Sequence, residues 1–193
     1  GKTIVINSQE NDPVHSSEYD YAGEYDGETL DFGKPIVPIG TAKRLPPPDV
    51  ALEPTLNRVK IQETMEIQEV LPREDGVILD FGQNFAGVIS IDPRFLEIGE
   101  TVRVRHGEIL NADGSLYTKN LRKAKATLTY TRGLDQNVYT PRFTYMGFRY
   151  AEITGVAYRP GLIQALAVYT DMKRTGNFRS ANPLVDRLYH NIV

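Results

Sequence analysis

Large β-favouring side chains crowd into the run from Pro141 to Gly155. Phe143, Tyr145, Phe148, Tyr150, Ile153 and Val156 leave only Gly147 and Gly155 as small breaks. That density predicts a central strand of a sheet. Two-residue alternation sends Phe148, Tyr150 and Glu152 to one face and Arg149, Ala151 and Ile153 to the other. The aromatic face is expected to be the core side. Arg149 then needs a carboxylate or carbonyl partner wherever it is partly buried, because an unpaired charge there is costly.

The same period recurs along the chain. Short strands are expected over Thr3–Ile6, Arg58–Ile61 and Glu63–Leu71, and over Val77–Phe81 and Ala86–Ile91 with Gly82-Gln83-Asn84 as the turn between them. Thr101–His106 places Val102 and Val104 on one side and Arg103 and Arg105 on the other. Ala126–Arg132 sets Thr127, Thr129 and Thr131 against Leu128 and Tyr130, and Ile163–Tyr169 closes the series. Strands at this spacing, with few helical patterns, predict an all-β fold: an antiparallel β-sandwich, jelly-roll-like, with a short C-terminal α-helix. The helix is announced by Asn182-Pro183, an N-cap followed by proline at the first helical position, and by Leu184, Leu188 and Ile192 at helical spacing. Its apolar stripe is expected either to cap the sheet or to lead into a further helical domain.

Six prolines between Gly33 and Pro54 disfavour both helix interiors and central strands, so this part is expected to be an extended connector. Residues 1–55 are thus expected to be the tail of a β domain plus a proline-rich linker, residues 56–172 the β-sandwich, and residues 173–193 a linker and first helix.

Charge changes the picture in two places. From Glu10 to Asp31 eight acids occur with no lysine or arginine, interleaved with Tyr19, Tyr21 and Tyr25. This stretch reads either as a solvated surface segment or as a loop whose tyrosine rings and carboxylates contact carbohydrate or calcium. Ser115–Lys125, in contrast, is basic through Lys119, Arg122, Lys123 and Lys125, and is expected to dock against a surface of opposite sign. A formal charge of -3 leaves no excess with which to neutralise phosphates, so nucleic-acid binding is not expected. No apolar run approaches the ~20 residues needed to span a bilayer, and no targeting segment assigns a compartment.

Candidate chemistry is sparse. With no cysteine and with His15, His106 and His190 far apart, no metal site is expected. Gly-x-Ser-x-Gly and the phosphate-binding glycine loops are missing. Paired carboxylates for glycoside hydrolysis need only lie roughly 5–10 Å apart, which leaves Asp80, Glu108 and Glu152 as strand-borne candidates. Each reads more simply as a partner for Arg103, Arg105, Arg122 or Arg149. His106 beside Glu108 invites a general-base role, against which stands a satisfied sheet-edge histidine.

Four motifs, Asp80–Gly87, Arg105–Tyr117, Asn120–Arg122 and Phe143–Tyr150, together resemble the β-sandwich domain that precedes the catalytic barrel of bacterial α-L-rhamnosidases. Residues 21–26 resemble the tail of that family's N-terminal β domain, which in some members binds carbohydrate. This makes Tyr21, Glu24, Tyr25 and Asp26 the candidate carbohydrate-binding residues. Residues 176–189 resemble the start of the family's α/α barrel. The resemblance implies hydrolysis of terminal α-L-rhamnose by acids on that barrel, hence no catalytic residue and no cofactor within this chain. It implies a rhamnose-containing glycan as the parent enzyme's partner and packing of the sandwich on the barrel. Where the family often has histidine, Met146 stands here, which fits packing better than a polar role.

Overall fold

A computed structural model describes residues 9–47, 49–51, 53–54 and 57–192; the strand expected at Thr3–Ile6 lies outside them. In chain order the described residues form β1 (Pro13–His15), β2 (Tyr19–Gly23), β3 (Gly27–Asp31), β4 (Pro38–Thr41), β5 (Val59–Met65), β6 (Glu69–Arg73), β7 (Gly76–Ile91), β8 (Thr101–Gly107), β9 (Ile109–Leu110), β10 (Leu116–Tyr117), β11 (Thr127–Thr131), β12 (Met146–Thr154), β13 (Ile163–Thr170) and α1 (Pro183–Ile192). The all-β class and the single short helix are as the sequence predicts. Nine strands hydrogen-bond into one curled sheet in the order β2-β3-β11-β8-β12-β7-β13-β5, with β6 also on β7. The acid-rich segment is therefore part of the sheet: β3 runs parallel to β11, with Gly27 opposite Thr127 and Asp31 opposite Thr131. Within the proline-rich connector, β4 pairs with β1 as a separate ribbon.

The long strand β7 holds the curl together. Its first residues, Gly76–Asp80, pair with both β6 and β12, and its last, Gly87–Ile91, pair with β13. The expected turn at Gly82-Gln83-Asn84 is absent. Gly82 instead takes φ +79°, where a side chain would be strained, and bends the strand without reversing it. Its amide donates to Asp80 Oδ1 at 2.7 Å, which stabilises the bend.

A second correction concerns β12, which begins at Met146 rather than Pro141. Its pairing to β7 slips between Phe148 and Tyr150. The extra residue of a bulge reverses which side chains face inward. Met146 and Phe148 point into the core before the slip, Ala151 and Ile153 after it. Tyr150 and Glu152, expected beside Phe148, are only half-buried.

Phe148 sits at the centre of the core, fully buried. Phe81 meets it edge-on at 5.8 Å, Phe85 lies 4.5 Å away and the His106 ring 4.7 Å away, centroid to centroid. A second aromatic group, Phe32, Tyr130 and Tyr139, lies beside β11. Here the structure overturns the solvated reading for one acid: Glu28 is 1% exposed. Its carboxyl group accepts from the Tyr139 hydroxyl, from the Phe143 amide at 2.6 Å and from the Arg142 amide at 3.0 Å. Burial, together with that bond to Glu28, pushes the Tyr139 hydroxyl pKa up.

At the other end, Asn182 Oδ1 accepts from the Leu184 amide at 3.0 Å and caps α1. Tyr189 ties the helix to the preceding segment through Arg174 Nη2 at 2.9 Å. Leu184, Leu188 and Ile192 stay 75%, 58% and 75% exposed.

Candidate functional site

Alternation and register build a groove on the outer side of the sheet. Val102, Val104, Leu128 and Tyr130 take the core side, which turns Arg103, Arg105, Thr127 and Thr129 outward. Strand pairing then lines these up in two cross-strand rows. One row runs Gly27, Thr127, Arg105 and Glu152; the other runs Thr29, Thr129, Arg103 and Thr154. Gly27 contributes no side chain and lies close against the backbone of β11. At φ +104°, an added Cβ would come within 1.9 Å of the Thr127 carbonyl oxygen, so only glycine fits where β3 meets β11. Tyr21 and Asp26 of the β2–β3 hairpin form one wall and the loop carrying Arg122 and Lys125 forms the other, enclosing about 640 Å³.

The two walls are locked together. The Lys125 amide donates to Asp26 Oδ1 at 3.1 Å, and Lys125 Nζ lies 3.7 Å from Asp26 Oδ2 and 5.5 Å from the Tyr21 ring centre. Tyr21 donates its hydroxyl to Asp26 Oδ2 at 2.9 Å. That bond holds the Asp26 carboxyl below the usual carboxylate range and raises the Tyr21 hydroxyl. Of the four residues singled out from sequence, the structure thus brings Tyr21 and Asp26 into the groove. Glu24 and Tyr25 sit at the hairpin turn outside its lining; Tyr25 is 71% exposed, and the Glu24 carbonyl accepts from Thr144 Oγ1 at 2.7 Å. Sequence reasoning missed Arg103, Arg105, Thr127 and Thr129. Their outward facing was legible, but not the register that places them beside Tyr21.

The three candidate acids are all engaged, Asp80 and Glu152 on strands and Glu108 between β8 and β9. Asp80 receives Arg149 Nε at 2.8 Å and Nη2 at 2.7 Å, a paired contact that keeps its carboxyl below the usual range. Glu152 meets Arg105 Nη2 at 2.7 Å, and Glu108 accepts from Asn120 Nδ2 at 2.8 Å. A general acid for glycoside cleavage needs its pKa raised, and Asp80 is shifted the other way. Among the described residues, no three His, Asp or Glu side chains converge as a metal would require.

His106 corrects the sheet-edge expectation. It lies in β8, flanked on both sides by β11 and β12, and is 1% exposed. Nδ1–H donates to the Ala126 carbonyl at 2.7 Å, and buried Nε2 has no partner. Burial lowers its pKa from 6.5 to about 4, so at neutral pH the ring is an uncharged core group. An unfolded histidine takes up its proton near pH 6.5, the folded one only near 4. Between those values the unfolded chain binds more protons, so stability falls as pH drops, by up to about 3 kcal/mol. Urea melts from pH 7 to pH 4 should show this loss, and His106→Gln should lack that share of it. Parallel losses in both proteins would contradict the costly burial of His106.

The fold defines an all-β domain built on one curled sheet, and the sequence comparison is specific. The family model for the bacterial α-L-rhamnosidase concanavalin-like domain matches residues 71–169, and the chain belongs to this family. The Streptomyces avermitilis α-L-rhamnosidase is 39% identical over 139 residues, covering 70% of this chain and 13% of that protein. A Formosa agariphila α-L-rhamnosidase is 31% identical over 150 residues, covering 75% and 16%. Among solved structures, the Streptomyces avermitilis enzyme in complex with L-rhamnose superposes with TM-score 0.75 at 31% identity, over 92% of this chain and 19% of that one. The Aspergillus terreus α-L-rhamnosidase gives 0.77 at 30% identity, over 92% and 22%. The chain thus spans 13–16% of the length of the curated relatives it matches.

Proposed function

We propose that this chain is a non-catalytic β domain of an α-L-rhamnosidase that removes terminal α-L-rhamnose from glycans or glycosides. The observation that carries this reading is that Asp80 and Glu152 are each engaged by arginine within the sheet and Glu108 by Asn120 beside it. Catalysis then falls to acids on a helical barrel outside residues 1–193. Residues 173–193 lead into that barrel, and residues up to about 55 end a preceding β domain while lending β2 and β3 to this sheet. A stiff sheet packed on the barrel holds its loops within the tolerance that bond cleavage demands.

The exposed stripe of α1 is the docking element for the barrel. It should therefore be dispensable for the fold of this chain. Leu184→Lys with Leu188→Lys is expected to change the melting temperature by about 4 °C or less, since exposed substitutions stay within about 0.5 kcal/mol each. A fall above about 10 °C would mean that the stripe already packs at home, against the docking role.

A second reading concerns Tyr21 and Asp26. Their position on a groove wall supports contact with carbohydrate, the tyrosine ring offering an apolar platform and the carboxyl an acceptor for sugar hydroxyls.

A further inference from the structure

The groove beside Tyr21 is crowded with positive charge in a chain whose formal charge is -3. Arg103, Arg105, Arg122 and Lys125 line it, with Asp26 as the one lining carboxylate. Glu152, next to Arg105 in its row, neutralises one more guanidinium from outside the lining. Among the described residues, Arg103 and Arg122 have no ion-pair or side-chain hydrogen-bond partner, and both are exposed. Arg105 Nε is buried without a hydrogen-bond partner. Arg122 also holds φ 57° and ψ -106°, a backbone state that non-glycine residues rarely adopt and that costs on the order of 1–3 kcal/mol.

Like charges gathered around one hollow repel one another, and an anion entering it relieves what Asp26 and Glu152 leave uncompensated. Guanidinium forks match a carboxylate in two parallel hydrogen bonds. Between the cations, Thr29 and Thr129 present hydroxyls suited to those of a sugar ring, beside Thr127, whose hydroxyl donates to the Lys125 carbonyl at 2.6 Å, and Tyr21 adds an aromatic face. A volume of about 640 Å³ lies within the range of ligand pockets, roughly 300–1,000 Å³. We propose that this groove binds an acidic glycan through the carboxylates of its uronic-acid sugars. The inference rests on the carbohydrate reading of Tyr21 and Asp26, and it is independent of where rhamnoside cleavage occurs.

Calorimetric titration of this chain tests it with three probes: tetragalacturonate, neutral maltotetraose and a sulfated maltotetraose. Tetragalacturonate should saturate the chain at least about tenfold more tightly than maltotetraose, as the loss of a hydrogen bond to a charged group implies. Binding should weaken between about 50 and about 300 mM salt, where surface charges become screened. Arg103→Ala and Arg122→Ala should each weaken it by about tenfold, with melting temperatures unchanged because both side chains are exposed. No binding, equal affinity for the neutral sugar, tighter binding of the sulfated one, or full affinity in both variants would overturn the proposal. None of these outcomes bears on the support role, which is read from rhamnoside turnover and from the α1 variants.

Discussion

Glu28→Ala is expected to lower stability by about 4 kcal/mol. Three donors converge on the buried carboxyl group, from Tyr139, Arg142 and Phe143. Truncation leaves the buried Tyr139 hydroxyl and two part-buried amides without an acceptor, at about 1–3 kcal/mol each and less than additively. For a chain of this length that amounts to a fall of about 8–16 °C in melting temperature. The bonds join β3 to the segment just before β12, so their loss should also loosen the groove wall that β3 positions. Glu28→Gln keeps an oxygen for the two amides and should cost less than half as much. In a double-mutant cycle, Tyr139→Phe should couple to Glu28→Ala, because both remove the same bond. A loss below about 1 kcal/mol for Glu28→Ala would mean that water or another acceptor replaces the carboxyl group.

Phe148→Ala is expected to cost about 3–5 kcal/mol, the range for deleting a fully buried aromatic side chain. That corresponds to about 6–20 °C. Phe148 touches Phe81 and Phe85 of β7 and His106 of β8, so the cavity opens where the three central strands meet. Phe148→Leu refills most of the volume and should recover more than half of the loss. Guanidinium melts of the three proteins, analysed at constant m-value, give the comparison. A loss under about 1 kcal/mol for the alanine variant would place the centre of the core elsewhere.

How far the sequence foretold these features depends on how local their causes are. The alternation of Val102 and Val104 with Arg103 and Arg105, and of Leu128 and Tyr130 with the threonines, was legible because each strand has one buried side. So was α1, whose start is encoded in adjacent residues, Asn182 and Pro183. The inward-facing set of β12 was misread because one bulge reverses the order, and the pairing slip lies between strands distant in sequence. Gly82 resembles a turn residue, yet the pairing that continues past it decides that β7 runs on. Glu28 sits in an acid-rich run that reads as solvated; its partners lie 111 to 115 residues away. The candidate site divides in the same way. Tyr21 and Asp26 stood out through the local resemblance of residues 21–26, whereas the basic floor needs the parallel register of β3 on β11, which no local pattern carries.

The assignment of this chain to support rather than chemistry is tested most directly by turnover of an aryl α-L-rhamnoside. The purified 193-residue chain would be assayed beside the full-length Streptomyces avermitilis α-L-rhamnosidase, with the chain in large molar excess. The relative is expected to release the aryl alcohol and this chain to release none above the buffer rate. Release that copurifies with the chain and disappears in an Asp80→Asn, Glu108→Gln or Glu152→Gln variant would contradict it.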